Sequence, residues 1–151
     1  MNKNMVMLEA LHRYYALWRE SNAMYEEWAK TQGLSLNSIL ILYAFYDHGD
    51  CCTQKMISQK WTIPKQTVNT ILKDFETKGY IELLPMHADK RNKIIHLTPK
   101  GKYFCDSIIT QLHHMELYVM EKMGIERMTS LNDNLALFID LFRKGETLGD
   151  V

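Results

Sequence analysis

A mainly α (α+β) fold is predicted by three observations. Apolar residues recur at three- and four-residue steps along most of the chain, which is helical spacing. A pair of β-prone segments interrupts them between Tyr80 and Leu97. Positive charge gathers in the middle third of a sequence whose formal net charge is zero. At 151 residues, 46% hydrophobic and 24% charged, the chain has the size and composition of one folding unit, 1–151, with a buried core.

The first element runs from Met5 to about Lys30, where Leu8, Leu11, Tyr15, Trp18 and Tyr25 form the apolar stripe of a long helix. Gly33 ends it. Ser35 or Asn37 can cap a second helix carrying Ile39, Leu40, Leu42, Tyr43 and Tyr46, stopped by His48-Gly49-Asp50. Thr53 opens a short third helix with Met56 and Ile57, without the acid of a capping box. Trp61-Thr62-Ile63 then turns the chain. Pro64 fits the first turn of a fourth helix, where its missing N–H costs nothing. Val68, Ile71, Leu72 and Phe75 give that helix an apolar face, so Gln66, Asn69, Thr70, Lys73 and Thr77 lie on the other side. Gly79 supplies a left-handed cap.

Tyr80 to Leu84 is β-prone, Pro85 breaks it, and Lys93 to Leu97 returns as a second strand. The loop between them, Met86-His87-Ala88-Asp89-Lys90-Arg91-Asn92, is polar and basic at its tip. Helix, helix, strand, basic loop, strand is the order of a winged helix-turn-helix. Thr98-Pro99 starts a fifth helix that runs through Phe104, Ile108, Leu112, Met115 and Val119 to about Gly124. A sixth presents Leu131, Leu135, Phe138, Ile139 and Phe142.

Charge follows the same division. From Thr53 to Lys100 nine bases face four acids, a local +5, while the remainder carries nine bases and fourteen acids, −5. A basic centre between acidic flanks suits a nucleic-acid contact held by a neutral-to-acidic scaffold. Arg13 and Glu9 interrupt the N-terminal apolar run, so neither a signal peptide nor a membrane span is expected, and a cytoplasmic location is. Cys51, Cys52 and Cys105 form neither an even disulfide framework nor a ligand spacing, and buried, reduced thiols are expected. His113, His114 and Glu116 invite a metal, but adjacent helical residues diverge by about 100°, so no metal site is expected there. No nucleophile–base pair, phosphate-cradling glycine loop or paired carboxylates can be found. The chain is therefore expected to be no enzyme and to need no cofactor.

Three spaced motifs, Phe75-Glu76-Thr77-Lys78-Gly79, Asp89-Lys90-Arg91 and Leu97-Thr98-Pro99-Lys100-Gly101, resemble the multiple-antibiotic-resistance regulator (MarR) family. Phe75 stands where a leucine is usual, and Pro64 where a serine often caps the helix. The resemblance implies a homodimer that binds double-stranded DNA at a pseudo-palindromic operator. Residues 1–34 and 102–151 would be dimerisation helices and 35–101 the winged helix-turn-helix region. Terminal helices this apolar cannot all bury their faces on one small head, which agrees with a two-fold partner.

Within that frame Gln66, Asn69 and Thr70 carry the amides and hydroxyl that pair with base edges, where an Asn or Gln suits adenine. Lys65, Thr67 and Lys73 are expected at phosphates, with Thr53 and Gln54 doing the same beside the N–H groups that open the third helix. Arg91 resembles the family's minor-groove arginine, with Asp89 orienting it and Lys90 on the backbone. Relatives that bind small aromatic or phenolic effectors suggest His12, Tyr15, Trp18, Tyr43 and Tyr46 as a pocket. The function implied is an effector-modulated transcriptional regulator, most simply a repressor. The alternatives are a metal- or thiol-sensing regulator of the same fold, and a winged-helix module for protein assembly. Peroxide-sensing relatives carry a cysteine near the start of the first helix, and this chain has none there.

Overall fold

A computed structural model describes residues 2–49, 52–89 and 91–149. The elements run α1 (Lys3–Thr31), α2 (Leu36–His48), α3 (Gln54–Trp61), α4 (Lys65–Thr77), β1 (Ile81–Pro85), β2 (Lys93–Leu97), α5 (Pro99–Met123) and α6 (Ile125–Leu148). The fold is thus mainly helical with one two-stranded antiparallel sheet, in the expected order. The chain divides into two compact units, Met1–Ile109 and Thr110–Val151, with the boundary in the sequence of α5.

The core of the first unit is built on α2, which buries Ile39, Ile41, Leu42, Ala44 and Phe45. Such a helix is apolar nearly all round because several elements cover it. Ala29, Cys52, Ile57, Ile63, Val68, Leu72, Phe75, Ile81, Ile95, Cys105, Ile108 and Ile109 join it in the core. Phe45 and Phe75 meet edge to face at 6.3 Å.

Local chemistry explains the element ends. Ser35, not Asn37, caps α2, its hydroxyl accepting the Ser38 N–H at 3.1 Å. Thr53 caps α3 through Met56 N–H at 3.2 Å. Thr62 closes α3 in the left-handed conformation at φ 52°, unusual for a β-branched residue, while Ser58 Oγ donates to the Ile63 carbonyl at 2.7 Å. Pro64 stands one place earlier than expected. It is the N-cap of α4, with extended ψ of 137° and its carbonyl accepting from Val68 N–H.

The sheet pairs Ile81 with Leu97 through to Pro85 with Lys93, so Pro85 ends the ladder from within instead of breaking it one residue before. A proline with no N–H to give is tolerated at such a strand end. Cys52 and Thr53 extend the sheet beside β2: Ile95 N–H donates to the Cys52 carbonyl at 2.9 Å and Thr53 bridges Ile94.

Two of the sequence motifs grip each other where β1 begins and β2 ends. Thr98 Oγ1 donates to the Gly79 carbonyl at 2.6 Å and accepts the Gly101 N–H at 3.0 Å. Thr98 N–H donates to the Tyr80 carbonyl at 3.0 Å, and Lys100 Nζ donates to the Lys78 carbonyl at 2.9 Å. Tyr80 stacks on Phe104 at 4.4 Å, nearly coplanar. Gly79 takes φ +76°, as the cap requires.

Helix α1 buries Ala29 alone, and much of its apolar stripe lies open, with Leu8 54% and Trp18 58% exposed. In the second unit Leu131, Leu135, Phe138, Ile139 and Phe142 of α6 are all exposed. Among the described residues no helix is long and apolar enough to cross a membrane.

Candidate nucleic-acid interface

The hydrophobic spacing of α4 positions the site. Val68, Leu72 and Phe75 lock one face into the core, which turns Lys65, Gln66, Asn69, Thr70 and Lys73 outward. Thr67 is half-buried at the edge of that face. Helix α3 crosses beside it, anchored by Ile57, and brings Thr53 and Gln54 within reach of α4.

Several polar groups already have partners, which sets what they can offer a ligand. Gln54 Nε2 donates to Asn69 Oδ1 at 2.8 Å, so two residues expected to act separately form one unit. Thr70 Oγ1 donates to the Gln66 carbonyl at 3.0 Å, and Thr77 Oγ1 to the Lys73 carbonyl at 2.9 Å. At the start of α3, the Met56 N–H is taken by the Thr53 hydroxyl and the Lys55 N–H by Asn92 Oδ1 at 3.2 Å. The expected help from those two N–H groups at a phosphate is therefore not on offer. The Thr53 hydroxyl proton is not spent in that cap.

The wing turns tightly. Asp89 Oδ1 accepts the backbone N–H of Arg91 at 3.1 Å, and Asn92 N–H donates to the Asp89 carbonyl at 3.1 Å. Asp89 thus holds the main chain of Arg91 in an Asx turn, and the Arg91 side chain is exposed. Lys90 lies outside the described residues. Asn92, which sequence reasoning treated as an ordinary loop residue, ties the wing to α3 through Lys55 N–H and packs its amide on Met86 Sδ at 3.4 Å. An Asn closing an Asp-initiated turn was the only available hint.

The structure also sorts the central bases. Lys60 pairs with Asp47 at 3.5 Å, Lys78 with Asp74 at 2.8 Å, and Lys100 reaches the Lys78 carbonyl. Lys55, Lys65, Lys73 and Arg91 are exposed on α3, α4 and the wing. These four put positive charge on the exposed surface of α3, α4 and the wing.

The five residues suggested for an effector lie on α1 and α2. His12, Tyr15 and Trp18 are exposed on α1, and Tyr43 packs edge to face on Trp61 at 5.9 Å. Tyr46 lines a cleft of about 220 Å³ with Phe45, Gly49, Leu97, Lys102, Cys105 and Asp106. Among the described residues no group of three or more His, Cys, Asp or Glu is arranged to hold a metal ion.

Burial pushes the Cys52 thiol up to about 11, against a smaller pull from Lys60. Burial, aided by the Asp106 charge and opposed by Lys102, pushes Cys105 up to about 12, and its Sγ donates to the Leu42 carbonyl at 3.1 Å. Both are therefore thiols, not thiolates, at neutral pH. Cys51 lies outside the described residues. In Cys51→Ser protein at pH 7.5, a disulfide reagent is expected to leave both remaining thiols unmodified for minutes and to titrate two after unfolding. Fast labelling of either in the folded chain would contradict the buried-thiol assignment.

With this geometry in view, a model of the MarR family matches residues 32–91, the stretch from the start of α2 to the wing. The HTH-type transcriptional regulator Hpr of Bacillus licheniformis is 31% identical over 87 residues, 58% of this chain but 42% of that protein. The match therefore spans less than half of that relative's length. A solved MarR family regulator from Neisseria meningitidis aligns with a TM-score of 0.76 at 27% identity, covering 97% of this chain and 98% of the other. S. aureus MepR, solved as a DNA complex, shares the fold with a TM-score of 0.68 at 20% identity, over 87% of this chain and 96% of its own. The helix-closing turn and Asp89–Arg91 of the wing both fall inside the matched stretch, and the chain is similar in fold to a MarR family regulator over 97% of its length.

Proposed function

We propose that the protein is a sequence-specific transcriptional regulator, most simply a repressor, that binds a pseudo-palindromic operator in double-stranded DNA as a homodimer. The observation that carries this reading is the exposed polar face of α4. Gln66, Asn69 and Thr70 stand between Lys65 and Lys73, on a helix fixed from behind by Val68, Leu72 and Phe75 and flanked by the Arg91 wing. Such a helix fits the major groove, its lysines meeting phosphates and its amides base edges, while the wing arginine suits the minor groove. Thr53, Gln54, Thr67 and Lys90 complete the phosphate contacts. S. aureus MepR, which shares the fold, was solved as a DNA complex, and this supports a DNA-binding role.

Homodimerisation is supported by the open apolar surfaces of α1 and α6, of which Leu8, Trp18, Leu131, Leu135 and Phe142 are members. Residues 1–34 and 102–151 would supply that interface and 35–101 the DNA-binding region. An effector completes the reading. The cleft at Tyr46, lined also by Phe45 and by Lys102 paired with Asp106 at 2.9 Å, suits a small aromatic ligand, and at about 220 Å³ it sits below the range of drug-sized pockets.

The test is selection of bound fragments from the host genome, followed by sedimentation of the free and bound protein. Enrichment of a pseudo-palindrome occupied by two chains, with affinity falling steeply as salt rises, is the expected result. No enriched pseudo-palindrome, or binding by one chain, would overturn it.

A further inference from the structure

We infer that Gln54 is a positioning residue that commits Asn69 to donate, so that Asn69 reads guanine and not adenine. The inference rests on the DNA-binding reading above and names the specificity of that site. The carboxamide of Asn69 has one accepting and one donating end. Its accepting end, Oδ1, is turned toward α3 and holds Gln54 Nε2 at 2.8 Å, which leaves the two Nδ2 hydrogens for the groove. Adenine would need both ends at once, a donor for N7 and an acceptor for the N6 amine. Guanine presents two acceptors, N7 and O6, and matches an amide whose Oδ1 is engaged by Gln54 and whose Nδ2 is the end left to pair with a base.

Both elements are fixed by their cores: Ile57 anchors α3, and Val68 and Leu72 anchor α4. Gln54 is half-buried and Asn69 exposed, so the bond is held from the scaffold side. One Nε2 hydrogen of Gln54 serves Asn69, and the other remains for the phosphate expected at the start of α3. A single side chain thereby couples backbone register to base readout.

The neighbouring residue carries the opposite polarity. Thr70 gives its hydroxyl proton to the Gln66 carbonyl at 3.0 Å, and so presents only lone pairs outward. It accepts from a cytosine N4 or adenine N6 amine. The recognition face therefore reads donor at 69 and acceptor at 70, a directional pattern set inside the protein before DNA arrives.

The test is selection from randomised duplexes by the full chain and three variants. Asn69→Ala marks the base position that Asn69 reads, as the one losing its preference. Wild type is expected to favour guanine there. Gln54→Ala releases Oδ1 and is expected to move the preference toward adenine by about tenfold, the scale of one bidentate pair. Gln54→Glu, equal in size but lacking the N–H, is expected to flip the amide so that Oδ1 faces the groove and cytosine or adenine is favoured. That isosteric variant keeps the test standing if the alanine variant melts early.

Adenine preferred by wild type, or base preference unchanged in both Gln54 variants while affinity falls uniformly, would overturn the inference and leave the DNA-binding reading intact. Wild type that enriches no sequence would overturn both.

Discussion

Gly101→Ala is expected to lower the stability of the folded chain by about 3 kcal/mol, although the same change in an ordinary helix would raise it by about 1 kcal/mol. A Cβ at Gly101 would overlap the Tyr80 carbonyl oxygen and lie 2.6 Å from its carbon and 2.9 Å from its Cα. These are backbone atoms, so no side-chain rotation relieves the overlap. The Tyr80 carbonyl is held by Thr98 N–H at 3.0 Å, and the Tyr80 ring by the stack on Phe104. Relief requires α5 to back away from the start of β1, which also breaks the Thr98 bonds to Gly79 and Gly101. Thermal unfolding followed by circular dichroism should show a midpoint lower by roughly 6–12 °C, at about 2–4 °C per kcal/mol for a chain of this size. An unchanged or higher midpoint would show that the helix and strand are not held as described.

Arg91→Ala is expected to weaken operator binding more than tenfold with the melting temperature unchanged. The guanidinium is exposed, and the backbone that carries it is fixed by Asp89 and Asn92, so truncation removes a contact without disturbing the turn. A tenfold loss corresponds to about 1.4 kcal/mol, modest for an arginine in a narrow minor groove. Arg91→Lys keeps the charge but not the planar fork and should fall between the two. Gel shift at fixed salt is the measurement, and equal affinities for wild type and Arg91→Ala would sink the assignment. The two experiments separate cleanly, since Gly101 acts on the fold and Arg91 on the ligand.

These two glycine- and arginine-bearing motifs also show how unevenly the sequence could be read. Asp89-Lys90-Arg91 looks like a binding motif, and in the fold the Arg91 side chain is exposed while its backbone N–H is bonded to Asp89. Leu97-Thr98-Pro99-Lys100-Gly101 and Phe75-Glu76-Thr77-Lys78-Gly79 look similar in a linear reading, yet they hold each other, with Thr98 bonded to Gly79 and Lys100 to Lys78. Spacing alone cannot separate a motif that meets a ligand from one that meets another motif, because the difference lies in which carbonyl stands opposite.

The elements and their order were legible from residue pattern because local physics decides them: periodicity selects the α4 face, Ser35 and Thr53 cap their helices, and Gly79 turns the chain left-handed. The basic centre was legible for the same reason, as charge is a property of composition. What each polar group can offer was decided only by the tertiary structure. Gln54 and Asn69 are fifteen residues apart and become one unit only when α3 crosses α4. Asn92 reaches Lys55 across thirty-seven residues, and that bond spends an N–H the linear reading had assigned to DNA. Hydrogen-bond capacity is finite and shared among neighbours in space, so the donor or acceptor character of the recognition face follows from packing and not from the identity of its residues.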